Sequence, residues 1–142
     1  MLKHSVNPNA KDPSGDQSLH LTARFGFDKI TKILLESAVN VDAEGRGKWT
    51  ALQNAAYNGH IKCVEVLLDH KADPDLPTEN QDTSLHLAAK NGHFQVVQAL
   101  VKAGASVDAQ NSSGDTALRI ALRADHEQIS NFLLASGANT DL

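Results

Sequence analysis

The chain has 142 residues, 41% of them apolar or aromatic and 21% charged, which suits one domain with a real core and leaves it too short for two comfortable ones. Thirteen Lys and Arg against seventeen Asp and Glu give a net charge of -4, which argues against a protein that must neutralise many phosphates on duplex nucleic acid or a membrane surface. The single cysteine, Cys63, rules out an internal disulfide framework and a multi-cysteine zinc site. It also suits a reducing compartment, so a cytosolic or nuclear address is expected. No apolar run approaches the ~20 residues of a membrane span, and Met1-Leu2-Lys3-His4 lacks the apolar middle of a signal peptide.

Self-similarity organises the rest of the chain. Leu19, Leu52, Leu85 and Leu118 stand 33 residues apart, as do Gly26, Gly59 and Gly92, with Asp125 where a fourth glycine would fall. At the same period come the doublets Leu34-Leu35, Leu67-Leu68, Leu100-Val101 and Leu133-Leu134, then the acids Asp42, Asp75, Asp108 and Asp141. Continued backward, the period puts Met1-Leu2 on the doublet, so the chain begins inside a unit. The division expected is a partial unit at 1–11 and full units at 12–43, 44–76, 77–109 and 110–142. Both ends read as cut, as in a piece of a longer array.

The third unit shows the elements in order. Thr83 to Lys90 opens with a hydroxyl residue able to cap a helix, and its alanines allow close helix approach. Asn91-Gly92-His93 supplies a residue free to take positive φ and reverse the chain. Phe94, Val97, Leu100 and Val101 recur at helical spacing, giving a second amphipathic helix that stops at Gly104. Asp108 to Gln110 and the polar Asn111-Ser112-Ser113-Gly114 fit an extended segment and a hairpin-like tip. Helices this short cannot bury their apolar faces alone, so the units must stack.

The sequence resembles the ankyrin-repeat family. The family's Thr-Pro-Leu-His-x-Ala-Ala-x-x-Gly-His run is echoed by Thr50-Ala51-Leu52-Gln53-Asn54-Ala55-Ala56-Tyr57-Asn58-Gly59-His60 and by Thr83 through His93. Ser5 to Ala10 likewise falls on the family's Gly-Ala-Asp-Pro-Asn-Ala loop. Departures are Gln17 and Phe27 in the first unit, Arg119 and Asp125 in the fourth, and the absence throughout of the proline before the leucine. The resemblance implies an all-α ankyrin-repeat solenoid, four full helix-turn-helix repeats with hairpin-like loops plus a partial N-terminal repeat. It also implies that His20, His60, His86 and His93 hydrogen-bond the backbone and brace the next unit's loop.

Candidate chemistry is thin. His60, His93 and His126 share one slot, but stacked helices sit on the order of 10 Å apart, too far for one metal ion whose ligands lie near ~2.1 Å. Gly45-Arg46-Gly47-Lys48-Trp49 lacks the spacing of a phosphate loop, and no nucleophile elbow or paired metal-binding histidines occur. Cys63 reads as a packed or half-exposed thiol. The expectation is no catalytic residue, no metal and no cofactor.

The resemblance places partner contacts on a concave face built from the hairpin tips and the exposed ends of the first helices. The slots are Ser14, Asp16, Arg24 and Phe25, then Arg46, Lys48, Trp49, Tyr57 and Asn58. The third unit adds Glu79, Asn80, Asp82, Lys90 and Asn91, and the fourth Ser112, Ser113, Asp115 and Arg123. Three of the six aromatics, Phe25, Trp49 and Tyr57, fall there, the residue types that dominate interface energetics. Arg24, Arg46 and Lys48 lie near them, and Glu79, Asp82 and Asp115 farther along read as solvated rim charges. The expected function is a non-enzymatic, monomeric scaffold or adaptor module holding a protein or peptide, without nucleic acid or membrane. The alternatives are a free-standing small ankyrin inhibitor of a kinase, or the targeting arm of a larger enzyme such as a ubiquitin ligase.

Overall fold

The computed structural model describes residues 7–141, so Met1-Leu2 and Ser5-Val6, placed by the sequence period on a preceding unit, lie outside the described residues. Eight helices follow one another in four pairs: α1 (Ser18–Phe25) with α2 (Asp28–Leu35), α3 (Ala51–Asn58) with α4 (Ile61–Asp69), α5 (Ser84–Lys90) with α6 (Phe94–Lys102), and α7 (Ala117–Arg123) with α8 (Glu127–Ala135). The odd-numbered helices pack on one another in one layer, the even-numbered ones in a second, and each pair joins the layers. No strand occurs among the described residues. The finger before each pair is closed at its base by a backbone bond: Asp12 N–H to Asp16 C=O (2.7 Å), Gly45 to Trp49 (2.7 Å), Thr78 to Asp82 (2.9 Å) and Asn111 to Asp115 (3.0 Å).

Local chemistry sets the helix bounds. Thr50 caps α3 by accepting the Gln53 N–H, and Gln53 Oε1 accepts the Thr50 N–H at 2.7 Å, a reciprocal cap. At the same slot in α1 and α5, Nδ1 of His20 and His86 accepts the N–H of Gln17 and Thr83 (2.8 and 3.0 Å). Each first helix ends on a left-handed residue: Gly26, Gly59, Gly92 and Asp125, with φ of 79, 74, 76 and 61°. The buried spine is leucine, with Leu19, Leu52, Leu85 and Leu118 in the first layer and Leu67, Leu100 and Leu133 in the second. Thr31 and Ser130 replace valines in this core without leaving orphaned hydroxyls, since Thr31 donates to Phe27 C=O (2.8 Å) and Ser130 to His126 C=O (3.0 Å).

Three periodic hydrogen-bond rows stitch the units. Nε2 of His20 and His86 reaches forward to the finger carbonyls of Ala43 (2.8 Å) and Asp115 (2.9 Å), and Gln53 Nε2 does the same to Leu76 C=O (2.6 Å). Because Nδ1 of each histidine accepts, its proton sits on Nε2. His60, His93 and His126 instead reach back, to the carbonyls of Arg24 (2.9 Å), Tyr57 (3.0 Å) and Lys90 (3.1 Å). This corrects the expectation that His60 and His93 brace the following loop. They open the second helix of their pair, so their rings face the unit already passed. The third row explains the periodic acids: carboxylates of Asp42, Asp75 and Asp108 accept the N–H of Asp73, Ser106 and Asn139 at 3.0, 2.8 and 2.8 Å.

Candidate partner-binding groove

In three of the four units a residue at the base of the finger meets one at the end of the helix that follows. In the first unit Arg24 donates to the buried Asp16 carboxylate at 2.7 Å, and in the fourth Arg123 grips Asp115 with two bonds of 2.6 and 2.7 Å. In the second unit the corresponding residues are aromatic. Trp49 and Tyr57 meet edge to face, ring centroids 5.3 Å apart and planes at 77°. In the third unit Asp82 turns instead to the next finger, accepting from Asn111 Nδ2 at 2.9 Å.

The aromatic pair forms one wall of an open groove of about 560 Å³. Its lining brings together Arg24, Phe25, Arg46, Trp49, Tyr57 and Asn58, all anticipated, and adds Gly47 and Asn54. Phe25 is 59% exposed, and its ring lies 6.1 Å from that of Phe27. Arg24 is fixed between Asp16 and Asn54 Oδ1 (3.1 Å), whereas the Arg46 side chain is 63% exposed, its guanidinium 4.0 Å from Asp16. Burial alone would raise the Asp16 carboxyl, but the Arg46 amide and the Arg24 guanidinium outweigh it and hold the group below its ordinary value. Asp16 is therefore a charged anchor for the finger carrying Arg46, whose N–H it accepts at 3.0 Å.

Asn54 escaped the sequence reading, yet its signal was there. It occupies the slot of Leu21, Leu87 and Ile120, an amide in an otherwise apolar row. Besides accepting from Arg24, it donates to Thr50 C=O (3.0 Å), and Asn58 Nδ2 donates back to its carbonyl (2.9 Å).

The other anticipated residues are distributed differently. Asp82, Lys90, Asp115 and Arg123 line a second, more polar hollow of about 360 Å³ between the third and fourth units. Asp115 is not a solvated rim charge: it is buried, and hydrogen bonds from Arg123 hold its carboxyl below the usual range. Lys48, Glu79, Asn80, Asn91 and Ser112 line neither cavity. Glu79 and Ser112 bind the preceding fingers through their backbone N–H groups, to Gly47 C=O (3.3 Å) and Asn80 C=O (3.0 Å). Asn91 Nδ2 donates to Tyr57 C=O (2.7 Å), fixing the backbone under the aromatic wall. Lys48, with φ of 64°, forms the tip of its finger.

Cys63 is fully buried, and burial pushes its thiol up, away from the reactive thiolate. No group of three or more His, Cys, Asp or Glu residues with metal-binding geometry occurs among the described residues. No helix among them is long and apolar enough to cross a membrane.

The family model described as ankyrin repeats (3 copies) matches residues 1–78 and again residues 70–142. The chain belongs to the ankyrin-repeat family. No curated protein matches it. As in ankyrin repeats generally, which are protein-protein interaction modules and typically non-enzymatic, the chain's features of note are surfaces. The all-helical solenoid is what that family requires.

Proposed function

We propose that this ankyrin domain binds a protein partner through an extended segment laid along the finger-side, concave face, with its main anchor in the groove between the first and second units. The observation that carries this reading is the Trp49–Tyr57 pair, which faces an exposed Phe25 where the first and fourth units have ion pairs. Aromatic rings that already hold one another lose little freedom on binding and offer large apolar area, the combination that makes interface hot spots.

The exposed Arg46 gives the groove a positive edge, so the fitting segment carries an aromatic or aliphatic anchor beside an acidic or phosphorylated residue. The hollow at Asp115 and Arg123 offers less, because those charges already satisfy one another. Scaffold or adaptor use follows from binding without chemistry, and a cytosolic or nuclear setting fits the single, buried cysteine.

The test is selection from a random peptide library on the wild-type domain, with counter-selection on a Trp49→Ala/Tyr57→Ala double variant. Enrichment of an acidic-plus-aromatic motif only on the wild type supports the reading. Equal enrichment on both sinks it.

A further inference from the structure

The charges around the groove of the first and second units do not balance. Asp16, 1% exposed, offers one carboxylate to two guanidiniums: Arg24 Nη2 lies 2.7 Å from its Oδ2, and Arg46 Nη2 lies 4.0 Å from the same oxygen. Both carboxylate oxygens are taken, Oδ1 by the Arg46 amide and Oδ2 by Arg24, so the Arg46 guanidinium is left without a hydrogen bond among the described residues. Arg24 in turn donates Nε to Asn54 and Nη2 to Asp16, and its Nη1 has no hydrogen-bond partner among those residues. One positive charge is in excess.

That excess lies beside the rings. Asn54, which holds Arg24, precedes Tyr57 by three residues on α3, a spacing that makes side chains neighbours on a helix surface. Arg24, Arg46, Phe25, Trp49 and Tyr57 line one groove. The hollow between the third and fourth units lacks this combination: Asp115 engages Arg123 through both oxygens, and no Phe, Tyr or Trp lines it.

These features select among ligands. Aromatic walls alone would also suit a methylated lysine, but a cation brought beside two guanidiniums that share a single carboxylate is repelled. An anion next to an apolar ring fits. In an extended segment successive side chains point to opposite faces, so a ring at one position and an acid at the next cannot enter one groove together, and an acid two positions on lies about 7 Å farther along. Phosphotyrosine carries both groups on one side chain. Its phosphate brings close to two negative charges and three strong acceptor oxygens, which arginine binds with paired hydrogen bonds.

Resting on the reading of this groove as the partner's anchor site, we propose that its occupant is a phosphotyrosine side chain. The phenyl ring packs against Trp49, Tyr57 and Phe25, and the phosphate takes the Arg46 guanidinium and Nη1 of Arg24. Phosphorylation of the partner then switches binding on.

The test measures binding of fluorescent nine-residue peptide pools, degenerate except for a central phosphotyrosine, tyrosine, phosphoserine or glutamate, to the full chain. The phosphotyrosine pool is expected to bind at least tenfold more tightly than each of the other three. Phenyl phosphate is expected to displace it at concentrations where inorganic phosphate does not. Arg46→Gln is expected to cut the advantage over the tyrosine pool below threefold, with its denaturation midpoint showing that the fold is kept. Lys102→Gln, an equal loss of charge on an exposed position of α6, is expected to retain the advantage. A phosphoserine pool that binds as well as the phosphotyrosine pool, or displacement by adenosine monophosphate stronger than by phenyl phosphate, overturns the proposal. Tyrosine and phosphotyrosine pools that bind equally, and are lost together in Trp49→Ala/Tyr57→Ala, overturn it while leaving the groove as a peptide anchor. Pools that bind that double variant as well as the wild type overturn both readings.

Discussion

Trp49 and Tyr57, edge to face at 5.3 Å, stand where Asp16 and Arg24 form an ion pair one unit earlier. The same task, holding a finger against the end of its helix, is done by charges in one unit and by rings in the next. Only the rings leave apolar area facing the groove.

The first prediction follows from that exchange. Trp49→Asp/Tyr57→Arg transplants the ion pair and should still fold, since the first and fourth units hold the same two slots with such a pair. Loss of the aromatic anchors should weaken a selected peptide at least tenfold, consistent with ~2 kcal/mol or more per hot-spot side chain. Calorimetry of the domain and titration of the peptide separate the two effects. Unchanged affinity per folded molecule would make the pair purely structural.

A second prediction uses the histidines that reach back. Gly59→Ala places a Cβ 2.5 Å from His93 Nδ1, whereas Gly104→Ala, also at positive φ, meets nothing within 4 Å. Both pay the left-handed strain of about 1 kcal/mol, and Gly59→Ala should cost at least about 1 kcal/mol more through the displaced ring. Chemical denaturation of the two variants, and of each with His93→Ala, measures the difference. The added cost should vanish in the His93→Ala background.

Third, Lys71 sits at φ 68° in the helix-ending slot that Gly104 and Gly137 fill elsewhere. Lys71→Gly should therefore stabilise the domain by about 0.5–1 kcal/mol, an increase in thermal midpoint readable by calorimetry.

Acid stability supplies a fourth test. The Asp115 carboxyl is held below its ordinary value by hydrogen bonds from Arg123, and that of Asp16 is also lowered. A carboxyl depressed on folding adds stability that is present above the unfolded value of ~3.9 and is lost as pH falls through the folded value. Asp115→Asn should be less stable than the wild type at neutral pH, and the gap should narrow below pH ~4. A gap independent of pH in urea melts would show that the ionic form of Asp115 contributes nothing.

Much of this protein was determined by its sequence alone. The leucine spine, the glycine row and the caps at Thr50 and Thr83 recur every 33 residues because each is a local requirement that every unit repeats. The proximity of Phe25, Trp49 and Tyr57 was legible only through the family resemblance, which supplied the placement that the period alone does not, and the three line one groove.

What only the tertiary structure decided lies between units or depends on how a finger folds back. Asp115 and Glu79 read alike as acids near finger tips, yet one is buried against Arg123 and the other is exposed. Similarly, the 33-residue period shared by the His20 and His60 slots could not say that one ring reaches forward and the other back. Sequence period fixes which residues are equivalent; burial and bonding direction depend on which neighbour lies on each side. That is why equivalent slots diverge: Ile30 and Leu122 are exposed, and their counterparts Cys63, Val96, Ala56 and Ala89 are buried.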